Sequence, residues 1–159
     1  MSVIHQIRKL KICLICSAGG HLAEILRTSE CYRKYPHFFI TFKRMDTKNL
    51  SKKEDVYFVE DPSRSPIKFM KSLYQNFNIL KKEHPEVIIS TGAGIAVGPC
   101  YIAKLFFRSK VVFLESFCRT NKPSLSGRLM YPIADLFFVQ WKPLLERYGK
   151  KAIYRGAVV

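Results

Sequence analysis

The sequence predicts a single α/β domain, residues 1–159, built around a doubly wound and mostly parallel sheet. Short apolar runs alternate with segments of helical periodicity along the whole chain, and several runs are almost continuously apolar. Continuously apolar strands are typical of parallel sheets that helices cover on both faces. Regular strand–helix alternation joins such strands by right-handed crossovers, which gives a Rossmann-like architecture.

Seven segments are predicted as strands because each is a short run rich in apolar, β-branched or aromatic residues. They are Leu10–Cys16, Phe38–Phe42, Val56–Val59, Val87–Ser90, Val111–Leu114, Leu136–Val139 and Ala152–Tyr154. The helices predicted between them are His21–Lys34, Pro66–Glu83, Ile95–Phe107, Ser124–Ala134 and Pro143–Tyr148. Glu24 falls on the polar face of the first helix. Met45–Asp55, polar and rich in lysine, is predicted to be a mobile loop.

Charge is the strongest compositional signal. The chain has 27 Lys and Arg against 12 Asp and Glu, a formal net charge of +15. Such a protein is expected to meet an acidic partner, which could be nucleic acid, an anionic membrane surface or a phosphate-bearing substrate. The sequence has no zinc finger, RNA-recognition motif or recognisable helix-turn-helix, so nucleic acid is not the expected partner.

Cysteine usage and hydropathy indicate a cytoplasmic protein. The five cysteines lack the spacing of a disulfide framework. Cys13 and Cys16 lie three apart on a predicted strand, and we expect them on opposite faces, which excludes a redox pair or a metal half-site. No segment reaches the roughly 18 apolar residues of a membrane span, and no signal peptide is evident. We therefore expect contact with a membrane only from its surface.

Three strand ends carry unusual sequences. The first strand is followed by Ser17–His21, read Ser-Ala-Gly-Gly-His, the fourth by Thr91–Gly94, read Thr-Gly-Ala-Gly, and the fifth by Glu115 and Ser116. The carboxyl ends of parallel strands meet at one edge of the sheet, where ligands bind. A glycine turn entering a helix presents backbone N–H groups that suit phosphate. Two such turns at one edge favour an anion site over ordinary tight turns.

A dinucleotide is not the expected ligand of these turns. The first turn lacks the G-x-G-x-x-G spacing of dinucleotide-binding sheets. Phe42-Lys43-Arg44 stands at the end of the second strand, where an acidic residue would hold a ribose. A stand-alone domain that binds nucleotide or RNA is therefore a weaker hypothesis.

Two side chains at this edge each have two possible roles. His21 opens a helix, where a neutral imidazole can take a proton from a hydroxyl nucleophile, or where it can simply pack or cap. Glu115 can serve the chemistry of the site, or it can form an ordinary ion pair with Arg119. The residues alone leave both questions open.

The helix over Pro66–Glu83 combines an apolar face with basic residues. It is either a core helix with a solvated basic side or an interfacial helix against anionic lipid, which the net charge favours. The candidate membrane-surface residues are Lys68, Phe69, Lys71, Phe77 and Lys81.

Four stretches together resemble a known family over nearly the whole chain. They are SAGGHLAEILRT (17–28), STGAGIAVGP (90–99), LESFCRTNKPSLSGRLMYPIADLFFVQW (114–141) and AIYRGAVV (152–159). The family comprises acceptor-binding, membrane-recruiting subunits of two-component UDP-sugar glycosyltransferases, of the Alg14 type and of the PssD/EpsE/CpsF type. These subunits are similar to the N-terminal half of a GT-B enzyme. The chain also resembles, more distantly, that half of the GlcNAc transferase that makes lipid II.

The resemblance implies roles for the residues at the sheet edge. It makes His21 the best candidate for the general base and Glu115 the second catalytic candidate. Glu115 and Arg119 match the segment that faces the cleft, and the resemblance leaves open whether they touch acceptor, donor or each other. The residues implied to hold the diphosphate of a polyprenyl-diphosphate-linked sugar acceptor are Ser17, Gly19, Gly20, Thr91, Gly92, Gly94 and Arg119. The reaction implied is an inverting hexosyl transfer with no cofactor and no metal, in which the UDP-sugar is a substrate.

The resemblance also implies a partner. The chain ends where fused GT-B enzymes enter their second domain, so we expect a separate donor-binding subunit that docks across the C-terminal strand and the cleft rim. This chain alone is expected to be inactive, and to lie peripherally on the cytoplasmic face of the membrane. The alternative is a non-catalytic scaffold that recruits and activates the partner glycosyltransferase at the membrane.

Overall fold

The computed structural model describes residues 10–62 and 65–158, which form one domain around a seven-stranded sheet. The strands are β1 (Ile12–Ile15), β2 (His37–Thr41), β3 (Val56–Phe58), β4 (Val87–Ser90), β5 (Lys110–Leu114), β6 (Leu136–Val139) and β7 (Ala152–Tyr154). Their order across the sheet is β3-β2-β1-β4-β5-β6-β7, and every neighbouring pair is parallel. The predicted parallel Rossmann-like sheet is confirmed.

Helices connect successive strands. They are α1 (Gly20–Arg27), α2 (Met45–Leu50), α3 (Pro66–Glu83), α4 (Gly94–Phe106), α5 (Leu125–Met130) and α6 (Pro143–Tyr148). The chain runs outward from β1 to β3, returns through α3, and runs outward again from β4 to β7. The direction of winding reverses between the adjacent strands β1 and β4, which is where doubly wound sheets bind ligands.

The first helix is shorter than predicted. It ends at Arg27, and a single 3₁₀ turn over Ser29–Cys31 follows, instead of the continuous helix to Lys34. Both the backbone N–H and the hydroxyl of Thr28 donate to the carbonyl of Ile25, at 3.1 and 2.7 Å. This contact tightens the last turn and stops the α-helical hydrogen-bond pattern.

The prediction of a loop over Met45–Asp55 is wrong for its first half, which forms α2. Thr47 is buried and anchors the helix. Its hydroxyl donates to the carbonyl of Phe42 at 2.9 Å and accepts from the N–H of Arg44 at 2.8 Å. A short polar helix held by side-chain bonds to the preceding strand carries little apolar periodicity, so the pattern did not reveal it.

The core lies on both faces of the sheet. One face, with Cys13, packs against α3, α4, α5 and α6, and the other, with Cys16, packs against α1. The prediction that the two thiols point to opposite faces is therefore confirmed. Burial raises the pKa of Cys16 to about 12 and raises the pKa of Cys13 strongly, as expected for inert core thiols.

Half of one sheet face has little cover, contrary to the prediction of helices on both faces. The face that α1 covers continues onto the strands beyond β1, where Ile89, Val112, Leu114 and Phe138 are only half-buried. A cavity of about 290 Å³ lies there, bounded on one side by the C-terminal segment 155–158. This surface is named the open sheet face.

Candidate functional site

A cavity of about 720 Å³ lies at the carboxyl ends of β1, β4 and β5. Its walls come from the start of α1, the start of α4, the loop after β5 and the start of α5. The lining residues are Gly20, His21, Glu24, Ala93, Gly94, Val97, Ser116, Cys118, Arg119, Ser124, Leu125, Ser126 and Leu129. The structure thus brings the three predicted strand ends together around one space.

Two helix N-termini face this cavity without a side-chain cap. Gly19 and Ala93 are the N-cap residues of α1 and α4, and neither supplies a capping hydrogen bond. The next residues, Gly20 and Gly94, line the cavity. The first N–H groups of a helix have no intrahelical acceptor, and the helix dipole adds positive potential there. Together the two termini can bind an anionic group.

The turn before α4 is strained. Ala93 has φ +74° and ψ 159°, a conformation that side-chain-bearing residues rarely adopt. Such strain costs on the order of 1–3 kcal/mol and is concentrated at functional sites. Gly94, the next residue, begins α4 and lines the cavity.

Four of the seven residues predicted to hold phosphate brace the turns instead of lining the cavity. Ser17 donates to the carbonyl of Ala18 at 3.3 Å, and the N–H of Gly19 donates to Asp46 Oδ2 at 2.7 Å. Thr91 is buried, and its hydroxyl donates to the carbonyl of His21 at 2.8 Å.

The fourth bracing residue is Gly92, whose N–H donates to Ser90 Oγ at 3.1 Å. The remaining predicted phosphate residues, Gly20, Gly94 and Arg119, do line the cavity. Arg119 is exposed there and supplies a positive charge.

His21 lies between the two glycine turns. It is the second residue of α1, lines the cavity, and packs against Gly92. Its Nδ1 is buried and has no hydrogen-bond partner among the described residues. Nε2 is therefore the ring nitrogen that a ligand in the cavity can meet.

Glu115 does not lie where the prediction of a catalytic carboxylate requires it. It is 1% exposed and is absent from the cavity walls described above. Its Oε1 accepts from the N–H of Ser116 at 2.9 Å. Its Oε2 accepts from both the N–H and the hydroxyl of Ser124, at 3.1 and 3.0 Å, and from the hydroxyl of Tyr148.

Glu115 therefore holds the loop between β5 and α5. Burial and the hydrogen bond to Glu115 raise the pKa of Tyr148 well above its usual value, so the phenol stays a donor. The alternative reading, an ion pair with Arg119, is also wrong, since no ion pair among the described residues joins Glu115 to Arg119.

Glu24 is a cavity residue that the sequence pattern did not predict. Glu24 is 5% exposed and lines the cavity, although the helical pattern predicts it on the solvent face. Its Oε1 accepts from Ser116 Oγ at 3.0 Å and from the N–H of Phe117 at 2.9 Å. The signal that could have revealed it is its spacing of three from His21 in a first helical turn that opens at the ligand edge.

The predicted membrane-surface residues divide along α3. Lys68, Phe69 and Lys71 are exposed near the start of the helix, at the same end of the sheet as the cavity. Lys81 is exposed about 20 Å further along, at the other end. Phe77 is half-buried against Phe106 and Phe107, so its assignment to the surface is wrong.

The start of α3 also exposes apolar side chains that the prediction did not name. Ile67 is 81% exposed, and Met70 and Tyr74 are exposed with it. Together with Lys68, Phe69 and Lys71 they form what is named the α3 surface. In the described part of the chain, no helix is both long and apolar enough to cross a bilayer.

The sequence of this chain is similar to a described protein family and to named proteins. Residues 58–158 match the family described as "Oligosaccharide biosynthesis protein Alg14 like". The human UDP-N-acetylglucosamine transferase subunit ALG14 is 25% identical over 181 residues, covering 94% of this chain and 83% of that protein. The subunit of the same name from Schizosaccharomyces pombe is 42% identical over 78 residues, covering 46% of this chain and 37% of that protein.

Solved structures share the fold. Acinetobacter baumannii MurG superposes with a TM-score of 0.73 at 12% identity, over 92% of this chain and 45% of that chain. A UDP-N-acetylglucosamine 2-epimerase from Rickettsia bellii gives 0.74 at 14% identity, over 94% of this chain and 45% of that chain. This chain thus spans less than half of either protein.

Proposed function

The chain belongs to the family of Alg14-like oligosaccharide biosynthesis proteins, and we propose that it is the acceptor-binding subunit of a heteromeric UDP-sugar glycosyltransferase. In this proposal the enzyme resembles a UDP-GlcNAc transferase and elongates a polyprenyl-diphosphate-linked oligosaccharide, in N-glycan or surface-polysaccharide synthesis. The observation that carries the proposal is the cavity between two uncapped helix N-termini, with an arginine on its rim.

The diphosphate of the acceptor would bind between the N-termini of α1 and α4. The first N–H groups of these helices, at Gly20 and Gly94, supply donors, and Arg119 supplies a cation. A diphosphate carries several acceptor oxygens and matches both features. The bracing bonds at Gly19 and Gly92 keep the two turns in place.

The lipid part of the acceptor would leave the cavity along its apolar side. Val97, Leu125 and Leu129 line that side, and both leucines are exposed. The α3 surface, at the same end of the sheet, combines apolar side chains with Lys68 and Lys71 and suits an anionic membrane. The protein would thus lie peripherally on the cytoplasmic face of the membrane, with the cavity opening towards the lipid.

In the proposed reaction a hydroxyl of the acceptor sugar attacks the anomeric carbon of the donor, with inversion. His21 Nε2 takes the proton of that hydroxyl as the carbon–oxygen bond forms, and the UDP group departs with the electron pair of the bond that breaks. The proposal assigns no step to a metal or cofactor in this chain. The UDP-sugar is bound mainly by the partner subunit.

The open sheet face supports a separate partner. Ile89, Val112, Leu114 and Phe138 leave apolar area half-covered on β4, β5 and β6, and the cavity with His21 lies at the carboxyl edge of the same sheet. A donor-binding subunit that docks there would bury the apolar area and bring its substrate to His21. The chain alone would then be inactive or nearly so, and the proposal includes no nucleic-acid partner.

The same observation also suits a non-catalytic scaffold that recruits and activates the partner, which then supplies all the chemistry. Co-expression with the donor-binding chain, followed by transfer of radiolabelled UDP-sugars to membrane lipid extracts, tests both. Activity that requires both chains supports the proposal and identifies the donor. Activity of the partner alone contradicts it and reduces this chain to an anchor or activator.

A further inference from the structure

One carboxylate oxygen of Glu24 accepts two hydrogen bonds, and the other accepts none among the described residues. Oε1 accepts from Ser116 Oγ and from the N–H of Phe117, whereas Oε2 is buried and has no hydrogen-bond partner among the described residues. Burying a carboxylate oxygen without a donor is unfavourable. Because Glu24 lines the cavity, a ligand towards which its carboxylate turns can supply the missing donor.

A cation within the protein does not fill this role. None of the ion pairs found in residues 10–62 and 65–158 involves Glu24. His21 lies three residues earlier on α1, and its buried Nδ1 likewise has no partner in that part of the chain. Residues three apart are neighbours on a helix surface. The side chains of His21 and Glu24 therefore lie on the same wall of the cavity.

The chemistry of a carboxylate limits what can bind beside it. It repels a diphosphate, which instead suits the N–H groups at Gly20 and Gly94, and it attracts O–H or N–H donors. The cavity therefore has an anion-binding part at the two helix N-termini and a hydrogen-bond acceptor at Glu24.

We propose that Glu24 Oε2 accepts a hydrogen bond from a hydroxyl or acetamido N–H group of the acceptor sugar. This hydrogen bond sets the orientation of the acceptor in the cavity. This inference rests on the proposed function. Ser116 holds the carboxylate in place, because its hydroxyl donates to Glu24 while its N–H donates to Glu115 Oε1. Glu24 thereby contributes to sugar recognition and not to the binding of the lipid diphosphate.

Glu24→Gln tests the proposal because the amide keeps the size of the side chain and an oxygen for Ser116 and Phe117. Affinity of the full chain is measured for two probes, a short-chain prenyl diphosphate and the same lipid bearing N-acetylglucosamine. We expect the variant to bind the glycosylated probe roughly five- to tenfold more weakly and the sugar-free probe within twofold of the wild type. Glu30→Gln, on the exposed 3₁₀ turn, makes the same charge change and should alter neither affinity.

The outcomes separate this inference from the function it rests on. Equal weakening of both probes by Glu24→Gln, or no weakening of either, overturns the role in sugar recognition while the diphosphate site stands. A wild-type chain that binds neither probe overturns the proposed function itself. Circular dichroism of the variant verifies that it is folded.

Discussion

Gly92 lies directly behind His21, so that a Cβ atom on Gly92 would stand 3.4 Å from His21 Cε1. The second glycine turn thereby sets the position of the His21 side chain, which follows the first turn. The hydrogen bond from Thr91 Oγ1 to the carbonyl of His21 joins the same two turns. The candidate base and the second helix N-terminus are in this way parts of one braced unit.

Replacing Gly92 by Ala should destabilise the protein by about 1–3 kcal/mol, because φ is +107° there and the methyl group contacts His21 and Ser126. Urea denaturation followed by circular dichroism measures the loss. Gly94→Ala is the matched control, since a Cβ there meets nothing within 4 Å. Equal unfolding free energies for the two variants would contradict the bracing role of Gly92.

His21→Ala should lower turnover of the assembled two-chain enzyme by roughly 10²–10⁴-fold, the usual contribution of a general base. Complex formation should be unchanged, because the ring lines the cavity and not the open sheet face. Initial rates at saturating substrates, together with co-purification of the two chains, measure both properties. Undiminished turnover with an intact complex would favour the scaffold hypothesis.

Gly127→Ala should destabilise the protein by about 1–3 kcal/mol or more, because the added methyl group would overlap Tyr148 Oη and Glu115 Oε2. The loop between β5 and α5 depends on this network. Gly20→Ala, where a Cβ meets nothing within 4 Å, serves as the control in thermal unfolding. If Gly127→Ala unfolds at the wild-type temperature, Glu115 does not hold the loop as described.

Replacing Lys68 and Lys71 together by Ala should weaken binding to vesicles of anionic lipid about tenfold or more at low ionic strength, since each lysine near a membrane contributes about 1 kcal/mol. Vesicle sedimentation measures the affinity. Lys52→Ala with Lys53→Ala removes two exposed lysines from the turn after α2 and is the matched control. Equal effects of the two pairs would show that only net charge matters, contrary to a defined α3 surface.

Much of the fold could be predicted from the sequence, because β1 and β4 are short apolar runs and the long helix α3 carries helical periodicity. The convergence of the glycine turns followed from parallel strand direction alone. Helix α2 was missed since Thr47 anchors it through polar bonds, which hydropathy does not report.

The positions of the two carboxylates could not be predicted from spacing. Glu24 is covered by the loop after β5, through Ser116 and Phe117, and a helical pattern cannot register a loop distant in sequence. Glu115 follows the strand as expected, but its carboxylate accepts hydrogen bonds from Tyr148 and Ser124 and does not line the cavity. Long-range hydrogen bonds therefore decided which carboxylate meets the cavity.

In the proposed function, the N-termini of α1 and α4 bind the diphosphate of the acceptor. Titration of ¹⁵N-labelled chain with a short-chain prenyl diphosphate, followed through the backbone amide signals, tests it most directly. We expect saturable shifts at Gly20 and Gly94, with Gly149, at the end of α6, unaffected. Shifts confined to other parts of the chain, or none at either glycine, would contradict it.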